Sequence, residues 1–346
     1  RPPPAALSHR DDPNKTAHIF IIKSQGGKSK QITNIDGQLG CVSWSPDGKN
    51  LLCRVRFIDE DQIKCQEDKT ARKLGVVSRH FKRVFYKLDG EGYKPEDRWH
   101  IYVIHVKTGK IKQLTDHEIF DDIDPTWSPD GKFIAYMSNH SPDPDFDRDA
   151  VDLFIMPASG GNPVKVSTQY GEKKLPSFSP DGRTIAYIGT PGSKKWYKNQ
   201  GLWIVPSDGS GTPINLTEQY DVHVDPSTIN DIGTPEIMPP AWSKDGSIIY
   251  FPIMRNGRSV LCTIDINGQN FESLVGEQGV VGSYSFDAKH TRMAYLMGKI
   301  DDPCQVYSKK TSATKSKQIS KFNSKLFKKI DLGEIEEVWI KGPDDN

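Results

Sequence analysis

Trp44-Ser45-Pro46-Asp47-Gly48 returns unchanged as Trp127-Ser128-Pro129-Asp130-Gly131. It recurs with small changes as Phe178-Ser179-Pro180-Asp181-Gly182 and Trp242-Ser243-Lys244-Asp245-Gly246, and in worn form as Ser285-Phe286-Asp287-Ala288-Lys289. Every copy leads into a short apolar run: Leu51-Leu52, Ile134-Ala135-Tyr136, Ile185-Ala186-Tyr187, Ile248-Ile249-Tyr250 and Met293-Ala294-Tyr295. Strand, turn, strand is the physical content of such a unit. Proline presets its own φ, glycine accepts φ > 0, and aspartate bonds the turn backbone. The aromatic residue ahead of the turn (Trp44, Trp127, Phe178, Trp242, Phe286) is an anchor too large for a lone hairpin to bury. A repeated hairpin of this kind needs neighbours, which points to a stacked or radial array.

A second element alternates with the first. It reads His18-Ile19-Phe20-Ile21-Ile22, His100-Ile101-Tyr102-Val103-Ile104, Asp152-Leu153-Phe154-Ile155-Met156, Gly201-Leu202-Trp203-Ile204-Val205 and Val260-Leu261-Cys262-Thr263-Ile264, with a faded copy at Gln305-Val306-Tyr307. Gly-bearing turns follow most of them, and four close on Ile32-Thr33, Leu114-Thr115, Val166-Ser167 or Leu216-Thr217. These are strand and hairpin signals with almost no helical periodicity between them. The two elements together make a four-stranded antiparallel unit. The anchors stand 83, 51, 64 and 44 residues apart, and the shortest interval matches the ~40–45 residues of a propeller blade. The longer intervals imply insertions at 57–98, 141–150, 189–200 and 221–239. The expected fold is therefore an all-β propeller: a half-blade at 17–33, five full blades from 42 to 320, and a tail carrying one strand at Glu337-Val338-Trp339-Ile340. Residues 1–16 read as an incoming segment, 17–330 as the propeller and 331–346 as an exit strand or linker. Two β-sandwiches are the rival reading, but sandwiches do not write one turn five times.

The totals exclude several classes of function. In 346 residues, 46 basic side chains balance 45 acidic ones, so no global charge recommends nucleic acid. Apolar content of 35% with 10% aromatics suits thin sheet-on-sheet cores. The five cysteines (Cys41, Cys53, Cys65, Cys262, Cys304) contain no CxxC pair; unpaired thiols and a cytoplasmic setting are expected. No apolar run reaches the length of a membrane span. The first residues, Arg1-Pro2-Pro3-Pro4, carry neither a start Met nor a signal sequence and read as an interior start.

One segment stands outside the repeats: Arg83-Val84-Phe85-Tyr86-Lys87-Leu88-Asp89-Gly90-Glu91-Gly92-Tyr93, followed by Arg98-Trp99-His100-Ile101. It resembles the insertion of the acylaminoacyl-peptidase and dipeptidyl-aminopeptidase-like branch of the prolyl-oligopeptidase family of serine peptidases. The repeats alone also resemble TolB-like propellers. The first resemblance implies a propeller of six or seven blades seated over a C-terminal α/β-hydrolase domain, which carries the Ser-Asp-His machinery and acts on short peptides. No G-x-S-x-G elbow occurs in this sequence, so no catalytic residue is assigned, and the chain reads as a substrate-gating, non-catalytic propeller. The alternative is a free-standing TolB-like module that binds partner proteins. Expected partners are the hydrolase domain and short peptides, with no cofactor, no metal, no nucleic acid and no membrane.

Arg83, Tyr86, Asp89, Tyr93 and Arg98 are the candidates for a substrate-side or domain-docking loop, since Arg and Tyr side chains can hold a peptide by hydrogen bonding and stacking. The bland reading is a loop that packs the propeller against a neighbouring domain. Asp143, Asp145, Asp147 and Asp149 alternate like a calcium loop, but Arg148 and Phe154 occupy the positions where an EF-hand needs Gly and Glu, which leaves a solvated acidic loop. Asp121, Asp122 and Asp124 read as turn and strand-end hydrogen bonding. The lysines from 309 to 329 read as a solvated basic stripe. The repeat serines, each just ahead of a turn, are expected to bond backbone rather than to act as nucleophiles.

Overall fold

The computed structural model describes residues 3–8, 17–59, 63–64, 68–75, 78, 80–89, 92–195, 197–225, 237–276 and 279–342. Strands are added in chain order. The first sheet holds β1 (Ala5–Ser8), β2 (His18–Ile21) and β3 (Lys30–Gln31). Blade 2 holds β4 (Gly37–Trp44) and β5 (Asn50–Phe57). An insertion follows with helix α1 (Lys69–Leu74) and a small hairpin, β6 (Lys87–Leu88) and β7 (Gly92–Tyr93). The blade then resumes with β8 (His100–His105) and β9 (Ile111–Gln113). Blade 3 is β10 (Asp122–Trp127), β11 (Phe133–Ser138), β12 (Asp152–Pro157) and β13 (Val164–Val166). Blade 4 is β14 (Lys173–Phe178), β15 (Thr184–Gly189), β16 (Gly201–Pro206) and β17 (Ile214–Asn215). Blade 5 is β18 (Ala241–Trp242), β19 (Ile248–Arg255), β20 (Arg258–Asp265) and β21 (Glu272–Val275). Blade 6 is β22 (Val280–Phe286), β23 (Arg292–Gly298), β24 (Gln305–Lys310) and β25 (Lys317–Gln318); a single parallel bridge, Ser259 to Val280, joins it to blade 5. A short helix, α2 (Ser324–Phe327), follows. This is the expected propeller of antiparallel four-stranded blades.

The repeat turn explains its own spelling. In blade 2 the Ser45 hydroxyl donates to Asp47 Oδ1 at 2.7 Å and accepts the Asn50 N–H at 2.9 Å, while Asp47 Oδ1 also accepts the Lys49 N–H. Ser128/Asp130, Ser179/Asp181 and Ser243/Asp245 repeat the pattern. Gly48, Gly131, Gly182 and Gly246 stand at φ between 69° and 75°, where a Cβ would be strained. In the worn copy Asp287 stands in the serine's place, directly after the anchor Phe286, and its Oδ1 accepts the N–H groups of Thr291 and Arg292.

A second latch fixes the outer strands. Thr33, Thr115 and Thr217 accept the N–H of Ile19, Ile101 and Leu202 at 2.9–3.0 Å, and Ser320 does the same for Val306 at 2.8 Å. The closing Ile-Thr and Leu-Thr pairs are thus not arbitrary strand ends. They satisfy a buried donor of the neighbouring strand.

The core is a series of layers between successive blades. Leu51, Cys53 and Val55 face the first sheet, and Leu52 on the opposite face packs with Ile134 and Tyr136 of blade 3. Ala135 and Met137 then face blade 4. Both faces of the second strands of blades 2 to 5 are buried, hence their unbroken apolar runs. One anchor joins each layer: Trp44, Trp127, Phe178, Trp242 and Phe286 sit in five separate clusters. Their equivalence holds, but their expected burial holds fully only for Trp242, at 6% exposure; the other four are half-buried. Trp242 Nε1 also donates to the Ser177 carbonyl of blade 4 at 3.1 Å.

Several expectations are corrected. The first sheet has three strands, because Ala5–Ser8, assigned to an incoming segment, pairs with His18–Ile21. The strand expected at Glu337–Ile340 is absent: residues 331–342 run without regular structure, Val338, Trp339 and Ile340 are exposed, and Glu337 pairs with Arg258. No layer covers both faces of that segment, so its β-propensity has nothing to pack on. Lys309 is not part of a solvated stripe; it is buried, and its ammonium donates to the Leu274 carbonyl at 2.7 Å. Cys41, Cys53, Cys262 and Cys304 form no disulfide, and burial pushes the Cys53 thiol up to about 12. Cys65 lies outside the described residues. No helix among the described residues is long and apolar enough to cross a membrane.

Candidate functional site

Antiparallel blades separate two kinds of loop. The tight Ser-Pro-Asp-Gly turns join first to second strands on one face, and the insertions join second to third strands on the other. The long connections 58–99, 139–151 and 190–200 therefore share a face. Residues 81–89 and 92–98 belong to the first of these insertions.

Arg83 and Arg98 are the foundation of that insertion. Arg83 binds Asp145 through two nitrogens, Nη2 to Oδ1 at 3.1 Å and Nε to Oδ2 at 3.3 Å. Arg98 Nη1 reaches Asp121 Oδ2 at 3.2 Å and Asp145 Oδ1 at 3.4 Å. Asp145 Oδ2 also accepts the Phe85 N–H, and Asp121 Oδ1 accepts the Trp99 N–H at 2.9 Å. Both guanidinium groups and Asp145 are under a tenth exposed. Burial alone would raise the Asp145 carboxyl, but the Arg83 hydrogen bond and the charges of Arg83 and Arg98 outweigh it and hold the group below the usual carboxylate range. A bidentate, charge-assisted pair of this kind fixes geometry, so neither arginine is offered to a ligand.

The aromatic side chains behave differently. Phe81, Tyr86 and Tyr93 stack, with ring centroids 4.4 Å (Phe81–Tyr86) and 5.5 Å (Phe81–Tyr93) apart. Tyr86 and Tyr93 are both 43% exposed. Phe85 points the other way, between Lys94 Nζ and the Arg148 guanidinium, each 4.3 Å from its centroid. Asp89 is exposed beside the hairpin turn; Gly90 and Glu91, which were to set that turn, lie outside the described residues. Of the five candidate residues, the structure brings Tyr86 and Tyr93 onto one exposed stack and Arg83 and Arg98 into one buried network, and it sets Asp89 apart from both.

Among the acidic residues, Asp145 departs furthest from the expected solvated loop. Asp143, Asp145, Asp147 and Asp149 do not converge. Asp145 receives the two arginines, Asp147 accepts the Tyr170 hydroxyl, Asp143 accepts the Phe146 N–H at 3.2 Å, and Asp149 accepts the Lys194 N–H at 2.7 Å. The loop is a brace joining the insertions of blades 2, 3 and 4; it is buried at Asp145, while the bonds of Asp143, Asp147 and Asp149 lie at the surface. Asp124 spans blades in the same way, accepting the Leu175 N–H at 3.0 Å and standing 3.8 Å from Arg54. Asp121 and Asp124 thus fit the expected strand-end bonding. Asp122, fully buried, has no hydrogen-bond partner and stands 3.9 Å from His100 Nδ1. Trp99 is clasped between Arg54 and Arg56 at 4.6 and 4.7 Å. No local signal in the sequence marked the brace: Arg98 directly follows Glu96 and Asp97, yet its partners are Asp121 and Asp145.

No family model matches the chain. Its sequence is 28% identical over 339 residues to the uncharacterized peptidase YuxL of Bacillus subtilis; the match covers 96% of this chain and half of that protein. The fold superposes on Pyrococcus horikoshii acylaminoacyl peptidase with a TM-score of 0.67 at 16% identity, covering 94% of this chain and 45% of the peptidase. It superposes on the β-propeller domain of the trilobed protease from Pyrococcus furiosus with a TM-score of 0.59 at 16% identity, covering 94% of this chain and 80% of that one. The chain is similar to a propeller found within peptidases. It spans about half the length of the curated relative.

Proposed function

We propose that this chain is the substrate-selecting propeller of a serine peptidase that cleaves short peptides, of acylaminoacyl or dipeptidyl type and cytoplasmic, with bond cleavage on a separate α/β-hydrolase domain. The sequence likeness carries this reading, since it runs along 96% of the chain to a named peptidase of twice its extent. The insertion face supports it. A stack of exposed aromatic rings, held rigid by buried Arg–Asp pairs, is the kind of preorganised surface on which a second domain or a peptide packs at low entropic cost. A free-standing module that binds other proteins remains the competing reading.

The chemistry allotted to this chain is exclusion and positioning. Acyl transfer from an amide needs a nucleophile, a base and oxyanion donors within hydrogen-bond reach. The repeat serines are occupied, each donating to its turn aspartate and accepting a backbone N–H. Reconstitution tests the proposal. The chain alone should not hydrolyse acyl-peptide or aminoacyl chromogenic substrates, and mixing it with the separately expressed hydrolase region of its own reading frame should restore turnover. Hydrolysis by this chain alone, abolished by a serine-directed phosphonate, would overturn the non-catalytic role. A reading frame with no hydrolase region would favour the interaction module.

A further inference from the structure

Beyond the acidic brace, on the same face, a cleft of about 420 Å³ opens between the outer half of blade 3 and the connection into blade 4. Its walls include His140, Ser141, Asp152, Phe154, Lys165 and Thr168, with Tyr170 at one side. The reading above uses none of them except Tyr170, which ties one wall to Asp147.

The apolar wall is an aromatic column. The His140 ring stacks on Phe154 at 4.2 Å and on Phe120 at 4.3 Å, and Phe154 stacks in turn on the buried Tyr136 at 5.6 Å. Burial holds His140 below the ordinary histidine range. The polar wall carries opposite charges side by side: Lys165 Nζ lies 2.6 Å from Asp152 Oδ2, with the lysine more than half exposed and the carboxylate about one-fifth. Three residues of the wall also hold buried polar atoms without a hydrogen-bond partner: Ser141 Oγ, Thr168 Oγ1 and His140 Nε2. These atoms are closed to solvent as they stand, and rotation of the Ser141 and Thr168 hydroxyls into the cleft lets a ligand remove the standing penalty of leaving them unpaired. Behind the wall, the buried Lys173 ammonium donates to the carbonyls of Val151 and Gly171, so the blade-3 wall and the blade-4 connection are pinned together before any ligand arrives.

A lone anion entering this cleft meets Asp152, and a lone cation meets Lys165. A molecule with an ammonium at one end and a carboxylate at the other satisfies both, because an exposed ion pair is worth little and opens readily. Hydroxyls flanking that pair suit amide groups, and the aromatic column suits an apolar side chain. The volume lies within the range of small-molecule sites and far below that of a folded chain. We propose that this cleft binds a short peptide with both ends free, its ammonium on Asp152, its carboxylate on Lys165, its amide on Ser141 and Thr168, and an apolar side chain against His140 and Phe154. The assignment deepens the peptidase reading, on which it rests only for choosing a peptide among zwitterions.

Calorimetric titration of the chain with glycyl-phenylalanine tests it, against N-acetyl-glycyl-phenylalanine and glycyl-phenylalaninamide as the blocked forms. The free dipeptide should bind saturably, and each blocked form should bind about tenfold more weakly, the loss of one charge contact. Lys165→Met, which keeps the exposed stem, should lower affinity by a similar factor with an unchanged melting temperature. Ser141→Ala with Thr168→Ala should weaken the free and blocked forms alike. Equal binding of free and blocked peptides, no effect of Lys165→Met, or no heat from the free dipeptide at millimolar concentration would overturn the proposal. Because the heat is read on this chain without hydrolysis, failure here leaves the peptidase reading standing, and failed reconstitution leaves this site standing.

Discussion

The serine of each repeat turn does two things with one oxygen: it donates to the turn aspartate and accepts an N–H from the strand beyond. Removing Ser179 takes one of two donors from the Asp181 carboxylate, which keeps a backbone N–H, and leaves the N–H of the strand beyond without its acceptor. Ser179→Ala should therefore lower stability by about 1–2 kcal/mol, read as a shift in the urea midpoint at unchanged m-value. An unchanged midpoint would mean that solvent replaces both bonds. Lys173 is the other residue whose environment makes a measurable claim. Burial pulls its ammonium down from 10.5 to about 8, against the opposing charge of Asp152. In the unfolded chain the group keeps its proton to the higher value. Between about pH 8 and 10.5 the unfolded state thus binds more protons, and this group's contribution to stability rises with pH across that window. The stability difference between the native chain and Lys173→Met should increase over the window by up to about 3 kcal/mol. A difference flat with pH would mean that the two carbonyls hold the ammonium as well as water does.

At the level of elements, the anchors are equivalent in position but not in burial. Trp242 is nearly enclosed between blades 4 and 5 and donates across the layer to Ser177, whereas Trp127 is half-exposed and its indole N–H has no partner. Trp242→Ala should cost about 3–5 kcal/mol, with Trp127→Ala clearly less, both measured by chemical denaturation. Equal losses would show that burial does not rank the layers. The hairpin unit, the turn bonds and the anchor positions were all legible in the sequence, because each is set by residues fewer than ten apart. The brace of Arg83, Arg98 and Asp145 was not, since its members are 47 and 62 residues apart and meet only when blades 2 and 3 stand side by side.

For the whole molecule, the seam between first and last sheets sets the weakest point. Among the described strands, none of β22 to β25 is hydrogen-bonded to β1, β2 or β3, so no shared blade stitches the ends of the array together. Inner blades are covered on both faces and the terminal sheets are not. Hydrogen exchange should therefore find the amides of β11, β15 and β19 the most protected and those of β1 to β3 and β24 to β25 the least. Uniform protection across all blades would indicate a closed ring.

The sequence by itself determined the repeating unit, its antiparallel direction and the faces of its strands. A Pro-Asp-Gly turn set between an aromatic anchor and a short apolar run leaves one local solution. It did not determine which charged residues are structural. Arg83 and Arg98 read as binding groups and Asp145 as part of a solvated loop, yet the packed molecule buries the three against one another. The extended tail at Glu337–Ile340 carries the composition of a strand, and the fold provides no sheet beside it. Charge pairing across blades and strand pairing at the ends depend on which surfaces are adjacent after collapse, and adjacency is a property of the tertiary structure alone.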